Sequence, residues 1–155
     1  LSADGWLDTG DLGYMLDGEV VVTGRAKDLI IVNGRNIWPQ DIEWSVEALP
    51  QLRRGDVCAF SIDAEDGAES IVVVVNAWPA KEDARAALVG ATQQIVKETV
   101  GVDCVVQLLS PSIGLPMTSS GKLSRSRARA RYLAGEYGHG RRRPAMRWAR
   151  THQEG

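Results

Sequence analysis

The chain has 155 residues, 44% of them hydrophobic and 25% charged, with a formal net charge of -2; this is the composition of a globular domain with its own core and excludes a chain disordered throughout. The charge is divided, since residues 1–121 carry 8 Lys and Arg against 18 Asp and Glu while residues 122–155 carry 10 against 2, which reads as an acidic body with a basic C-terminal segment formed by a solvated helix face and a loose tail. No apolar run is long enough to span a membrane, no signal peptide opens the chain, and Cys58 and Cys104 lack the closely spaced Cys or His neighbours of a zinc site.

In chain order, Trp6 to Asp11 is a loop rich in turn formers. Gly13–Leu16 and Glu19–Val22 flank Asp17-Gly18, a hairpin signal. Asp28–Val32 is a short strand, β-branched at three of five positions. Asn33-Gly34 is a second hairpin turn, with Arg35–Trp38 returning. Pro39 suits the first turn of a helix that carries Asp41, Glu43 and Glu47 early, repeats Ile42, Val46 and Leu49 near helical spacing, and stops at Pro50. Gly55–Ile62 predicts a strand and 64–68 an acidic turn. Ser70–Asn76 contains four consecutive valines, the mark of a strand buried on both faces. Pro79–Val100 predicts a long helix with Leu88, Ile95 and Val96 on one face, stopped by Gly101. A strand over Val102–Leu109, a Pro/Ser/Gly loop over Ser110–Lys122 and a short helix over Leu123–Ala134 follow, the last with Arg at 125, 127, 129 and 131. The expected fold class is α+β: a small β-sheet with hairpins, covered by about three helices.

The chemistry-bearing residues are few, and each has an ordinary structural reading. Lys122 follows Gly121, but the preceding glycine is Gly114 and Leu123 comes next, so this is not a Walker phosphate loop. It leaves one lysine on a flexible, hydroxyl-rich loop, either solvated or able to meet a developing anion. Asp11 can accept hydrogen bonds from a diol or close its own turn. Arg25, Lys27 and Asp28 after Gly24 form either a hinge or a plain connection. Asn33-Gly34-Arg35 is most economically a turn, although Gly34 would let a ligand approach the backbone. His139 and His152 sit in the basic tail and read as solvated. The two cysteines read as buried free thiols of a reducing compartment, which makes the expected location cytoplasmic. The basic helix and tail leave a non-catalytic module that docks an acidic partner protein as an alternative, whereas nucleic acid is not an expected partner, since stacking aromatics do not alternate with the arginines of 125–131.

Taken in order, Trp6-Leu-Asp-Thr-Gly-Asp11, Gly24-Arg-Ala-Lys-Asp28-Leu-Ile-Ile, Asn33-Gly-Arg35 and Pro116-Met-Thr-Ser-Ser-Gly-Lys122 resemble the C-terminal part of the adenylate-forming superfamily of acyl-CoA synthetases, luciferases and peptide-synthetase adenylation domains. The run Gly34-Arg-Asn-Ile-Trp-Pro-Gln-Asp-Ile-Glu43 is most similar to fatty-acyl-AMP ligases. The resemblance implies that residues 1–26 end an N-terminal adenylation domain that lies upstream and that 27–135 form a C-terminal lid, while 136–155, basic and without periodicity, reads as a mobile tail. It implies Mg-ATP and a fatty acid as substrates and a phosphopantetheine thiol, on an acyl carrier protein or coenzyme A, as acyl acceptor. It further implies that Asp11 and Arg25 bind the adenosine ribose, that Lys122 acts in adenylation, and that Lys27 with Asp28 is the hinge. Asn33, Gly34 and Arg35 would then form the thioester-side face. Since Leu1 is no natural initiator, the chain reads as a fragment of something longer, expected to be inactive alone.

Overall fold

The structure, a computed structural model, describes residues 5, 7–63, 69–110 and 112–138. Trp6, the acidic turn at 64–68, His139, His152 and the rest of the basic tail lie outside the described residues. Strands β1 (Asp11–Leu16) and β2 (Glu19–Arg25) form a first hairpin, and a 3₁₀ turn covers Ala26–Asp28. Strands β3 (Ile30–Val32) and β4 (Arg35–Ile37) form a second hairpin. Helix α1 (Pro39–Glu47), β5 (Val57–Asp63), β6 (Glu69–Val75), helix α2 (Glu82–Val100), β7 (Cys104–Leu108) and helix α3 (Arg125–Ala134) follow. Among the described residues the fold is α+β with three α-helices and small sheets, the class the residue pattern predicts.

Local chemistry accounts for both hairpins. Asp17-Gly18 has φ of 50° and 85°, and Asn33-Gly34 has 52° and 71°. Two consecutive residues at positive φ are what a two-residue turn of strand-matching twist requires, and Asp-Gly and Asn-Gly reach it at least cost.

The central sheet runs in the order β5-β6-β7, antiparallel between the first pair and parallel between the second. A parallel pair cannot be joined by a tight turn, and α2 provides the crossover. The valines of β6 are buried on both faces, and the pleat divides them into two cores. Ile71, Val73 and Val75 join Val57, Ala59, Ile42, Val46, Leu88, Val96 and the β3–β4 hairpin on one side. Val72 and Val74 join Cys58, Phe60, Leu109, Ala128 and Tyr137 on the side covered by α3. The free edge of β5 is not left open: Glu43 Oε1 accepts the Ala59 N–H at 3.0 Å, and Arg129 Nε donates to the Ser61 carbonyl at 2.9 Å.

Several boundaries differ from the sequence expectation, helix α2 for one starting at Glu82 rather than Pro79, and three of the differences have a visible local cause. Asp28 is in the 3₁₀ turn rather than a strand, because the Leu29 N–H turns back to the Ala26 carbonyl. Helix α3 starts at Arg125 rather than Leu123, since Leu123 bridges to Met117 and the Ser124 N–H donates to Pro116 O. The end of the folded unit drawn at 135 falls short. Gly135 takes a left-handed φ of 75°, the Glu136 N–H reaches back to Arg131 O, and this helix stop returns Tyr137 into the second core at 3% exposure.

The β1–β2 hairpin contrasts with this core. Leu12, Tyr14, Met15, Leu16, Val20 and Val22 are all exposed on it.

Burial pushes the Cys58 thiol far up and that of Cys104 from 9.0 to about 11. A thiol whose folded pKa is raised contributes stability that is complete below its unfolded pKa and lost as pH rises through the folded one. The free energy of unfolding in urea should therefore fall as pH climbs from 9.0 toward about 11, and Cys104→Ala should remove part of that fall. In the folded chain near neutral pH, a thiol reagent should label Cys104 before Cys58; equal rates would contradict the burial difference.

Candidate functional site

A cleft of about 680 Å³ opens between the segments on either side of residue 27. Asp11, Val22, Gly24 and Arg25 line it from the first hairpin, and Gln40, Thr118, Ser120, Lys122 and Arg125 from the domain beyond, with Lys27 and Asp28 at the junction. Five residues singled out in the sequence (Asp11, Arg25, Lys27, Asp28 and Lys122) thus share one cleft, although they span more than a hundred positions.

On the hairpin wall, Asp11 and Arg25 are register partners of β1 and β2, and Asp11 Oδ1 lies 3.3 Å from Arg25 Nε. The turn upstream is closed by other groups: Asp8 Oδ1 accepts the Gly10 N–H at 2.8 Å, and Thr9 Oγ1 accepts the Asp11 N–H at 3.2 Å. The Asp11 carboxylate is therefore not used up by its own turn and remains partly exposed beside the cleft. Gly24 is where the hairpin meets the next domain, since a Cβ there would lie 2.7 Å from Trp38 Cζ3. Only glycine allows the indole to pack against that backbone.

The opposite wall is built on a tight turn rather than the flexible loop its composition suggests. The Thr118 N–H donates to Lys122 O at 2.7 Å, the Lys122 N–H donates to Thr118 Oγ1 at 3.0 Å, and the Gly121 N–H reaches Thr118 O at 2.9 Å. Thr118 and Ser120 share a further hydroxyl hydrogen bond of 3.0 Å. The hydroxyls close the turn and so hold Lys122. Among the described residues neither Lys27 nor Lys122 has a carboxylate within ion-pair distance, so two compact cations face a cleft suited to an anionic ligand. No group of three His, Cys, Asp or Glu among the described residues could hold a metal ion, and no helix among them is long and apolar enough to cross a membrane.

Arg125 corrects the picture of a solvated basic helix face. Its side chain is 16% exposed, its Nε and Nη2 donate to the two oxygens of Glu43 at 2.8 and 2.6 Å, and its Nη1 lies 3.2 Å from Asp28 Oδ2. Burial alone would lower the Arg125 pKa, but the Glu43 hydrogen bonds and the charges of Glu43 and Asp28 outweigh it and raise it. The other arginines of α3 also have partners: Arg127 reaches Met117 O, Arg129 reaches Ser61 O and Asp63, and Arg131 lies 3.6 Å from Glu136. Nothing local signals this, because the two carboxylates of Arg125 lie 82 and 97 positions away.

Asn33, Gly34 and Arg35 do not line the cleft. Arg35 instead lies over the C-terminus of α2, where a Cβ on Gly101 would come within 2.9 Å of its Nη1, and where the helix carbonyls favour a cation.

No protein-family model matches the chain. Known proteins do. A Caulobacter vibrioides protein described provisionally as an acyl-CoA synthetase is 56% identical over 139 residues, 89% of this chain and 24% of its own length. The long-chain-fatty-acid–AMP ligase FadD32 of Mycolicibacterium smegmatis is 36% identical over 84% of this chain and 24% of its own length. The medium-chain-fatty-acid–[acyl-carrier-protein] ligase JamA of Moorena producens is 37% identical over 84% of this chain and 22% of its own length. Among solved structures, one from work on the fatty acyl-adenylate ligases of E. coli and L. pneumophila superposes with a TM-score of 0.74 at 43% identity, over 86% of this chain and 23% of that one. The chain thus spans about a quarter of the length of the curated relatives it matches.

The buried ion pair sets one expectation for stability. Removing one partner leaves the other charged and buried, so Glu43→Ala should destabilise the fold by roughly 3–5 kcal/mol, read from urea unfolding. Asp63→Ala, at an exposed pair, should cost about 1 kcal/mol or less.

Proposed function

The chain belongs to the adenylate-forming superfamily and corresponds to the C-terminal domain of its enzymes, and on that premise we propose that it is the mobile lid of an ATP-dependent fatty-acyl-AMP ligase. The observation that carries this reading is the shared cleft, in which Lys122 faces Asp11 and Arg25 across the Lys27–Asp28 junction. Joining a carboxylate to the α-phosphate of Mg-ATP requires two anions to approach, with negative charge building on the phosphoryl oxygens. A lysine held by a closed turn meets that charge without further reorganisation. On the other wall, the Asp11 carboxylate accepts hydrogen bonds from the ribose hydroxyls, and Arg25 orients it.

Residues 1–26 in this reading complete a larger adenylating domain, which supplies the acyl pocket, the adenine pocket and the phosphate-gripping loop. The exposed apolar side chains of the β1–β2 hairpin support this, because they need a surface to cover them. Residues from 27 to Tyr137 form the lid, which turns about Lys27 after adenylation. That rotation withdraws Lys122 and presents the Asn33-Gly34-Arg35 face, and the separation of that face from the cleft supports the two-sided role. The acceptor is the phosphopantetheine thiol of an acyl carrier protein, the kind of acceptor JamA is named for. Free coenzyme A is the alternative, favoured by the Caulobacter relative's description. The proposed setting is the cytoplasm, where both thiols stay reduced.

The reading is tested on the two half-reactions of the full-length ligase. Lys122→Ala should lower ATP–pyrophosphate exchange by about 10²-fold or more, the scale of losing one preorganised charge-stabilising donor. It should leave thioester formation from supplied acyl-adenylate near wild type, and an equal fall in both would refute the assignment. The present chain alone should give no exchange above background.

A further inference from the structure

We infer that Arg125 is a positioning residue that braces the junction between the two walls of the cleft: by holding Asp28 against the lid body, it confines rotation to Lys27 and the residues before it. The inference rests on the reading of Lys27 as the pivot.

The junction is weak on its own terms. Its 3₁₀ turn has no side-chain cap, and the Leu29 N–H returns to Ala26 O at a long 3.3 Å. Only three residues then separate it from the end of the short strand β3. A pivot placed there would spread its dihedral change over the whole of 26–30 unless something held the far end. Asp28 is held. Its Oδ2 lies 3.2 Å from Arg125 Nη1, and the carboxylate is 20% exposed.

The anchor on the other side does not give. Arg125 spends its remaining nitrogens on both oxygens of Glu43, and Glu43 is in turn fixed by the Ala59 N–H of the central sheet. A two-pronged fork permits one orientation of the guanidinium, so Nη1 points at one place and Asp28 must be there. Arg125 also follows Lys122 by three residues, directly after the turn closed by Thr118. The link from pivot to cleft lysine is therefore short and stiff: Lys27, Asp28, Arg125, Lys122. Rotation at Lys27 then carries the Lys122 turn as one body with the lid, and its swing is not absorbed by bending at Leu29.

Asp28→Asn decides the matter in this chain, since it removes the charge at the junction and leaves the Arg125–Glu43 fork intact. Amide hydrogen exchange should accelerate roughly tenfold at Leu29, with matching loss of order in the ¹⁵N relaxation of Lys27, Asp28 and Leu29. Exchange in β5 and β6 and the melting temperature should stay at their wild-type values. Arg125→Lys, which cannot form the fork, should loosen the same three residues. Unchanged exchange at Leu29 in Asp28→Asn would overturn the inference. So would acceleration spread evenly through β5 and β6, which would make the contact one of general stability. The measurement needs no ligase activity, so its failure is distinct from a failure of the ligase reading.

Discussion

A guanidinium taken out of water must be met by carboxylates, and in this domain one arginine is met by two. Arg125, the first residue of α3, grips both oxygens of Glu43 on α1 and holds Asp28 at its third nitrogen. Such a cluster adds little net stability, because the desolvation of three charges offsets most of their attraction. What it supplies is geometry. Only one placement of helix α3 satisfies the fork, and the same Glu43 also closes the free edge of β5. The central sheet, helices α1 and α3 and the chain junction are registered to one another through a single side chain.

The cleft inherits its shape from that registration. One wall comes from a hairpin whose apolar side chains are largely exposed, and the other from a domain with two well-filled cores. The walls touch at Gly24 and Trp38, where the absence of a side chain lets an indole lie against the backbone. Lys122 lines the same cleft as Asp11, held by the local turn that Thr118 closes and by the Arg125 anchor three residues on.

FadD32 and JamA, both named as fatty-acid ligases, carry a similar unit in proteins about four times as long. The cleft here is lined mainly by charged and hydroxyl-bearing side chains, with Val22 and Leu123 as its apolar members.

Much of the fold was legible residue by residue, because the deciding signals are local. Asp17-Gly18 and Asn33-Gly34 reach positive φ whatever surrounds them, four valines in a row mark a strand buried on both faces, and Gly101 stops a helix by its own conformational freedom. The order of the motifs was legible for the same reason, and with it the family. What the sequence could not disclose was choice of partner. The four arginines of α3 look alike along the chain, yet Arg125 is buried on carboxylates 82 and 97 positions away while Arg127 holds a backbone carbonyl beside the cleft. Tyr137 read as the start of a loose tail until the left-handed Gly135 turned it back into the core. Local propensity determined which elements exist and where they turn; the tertiary structure alone decided which charge is buried against which, because that depends on distances the chain acquires only when its layers close on one another.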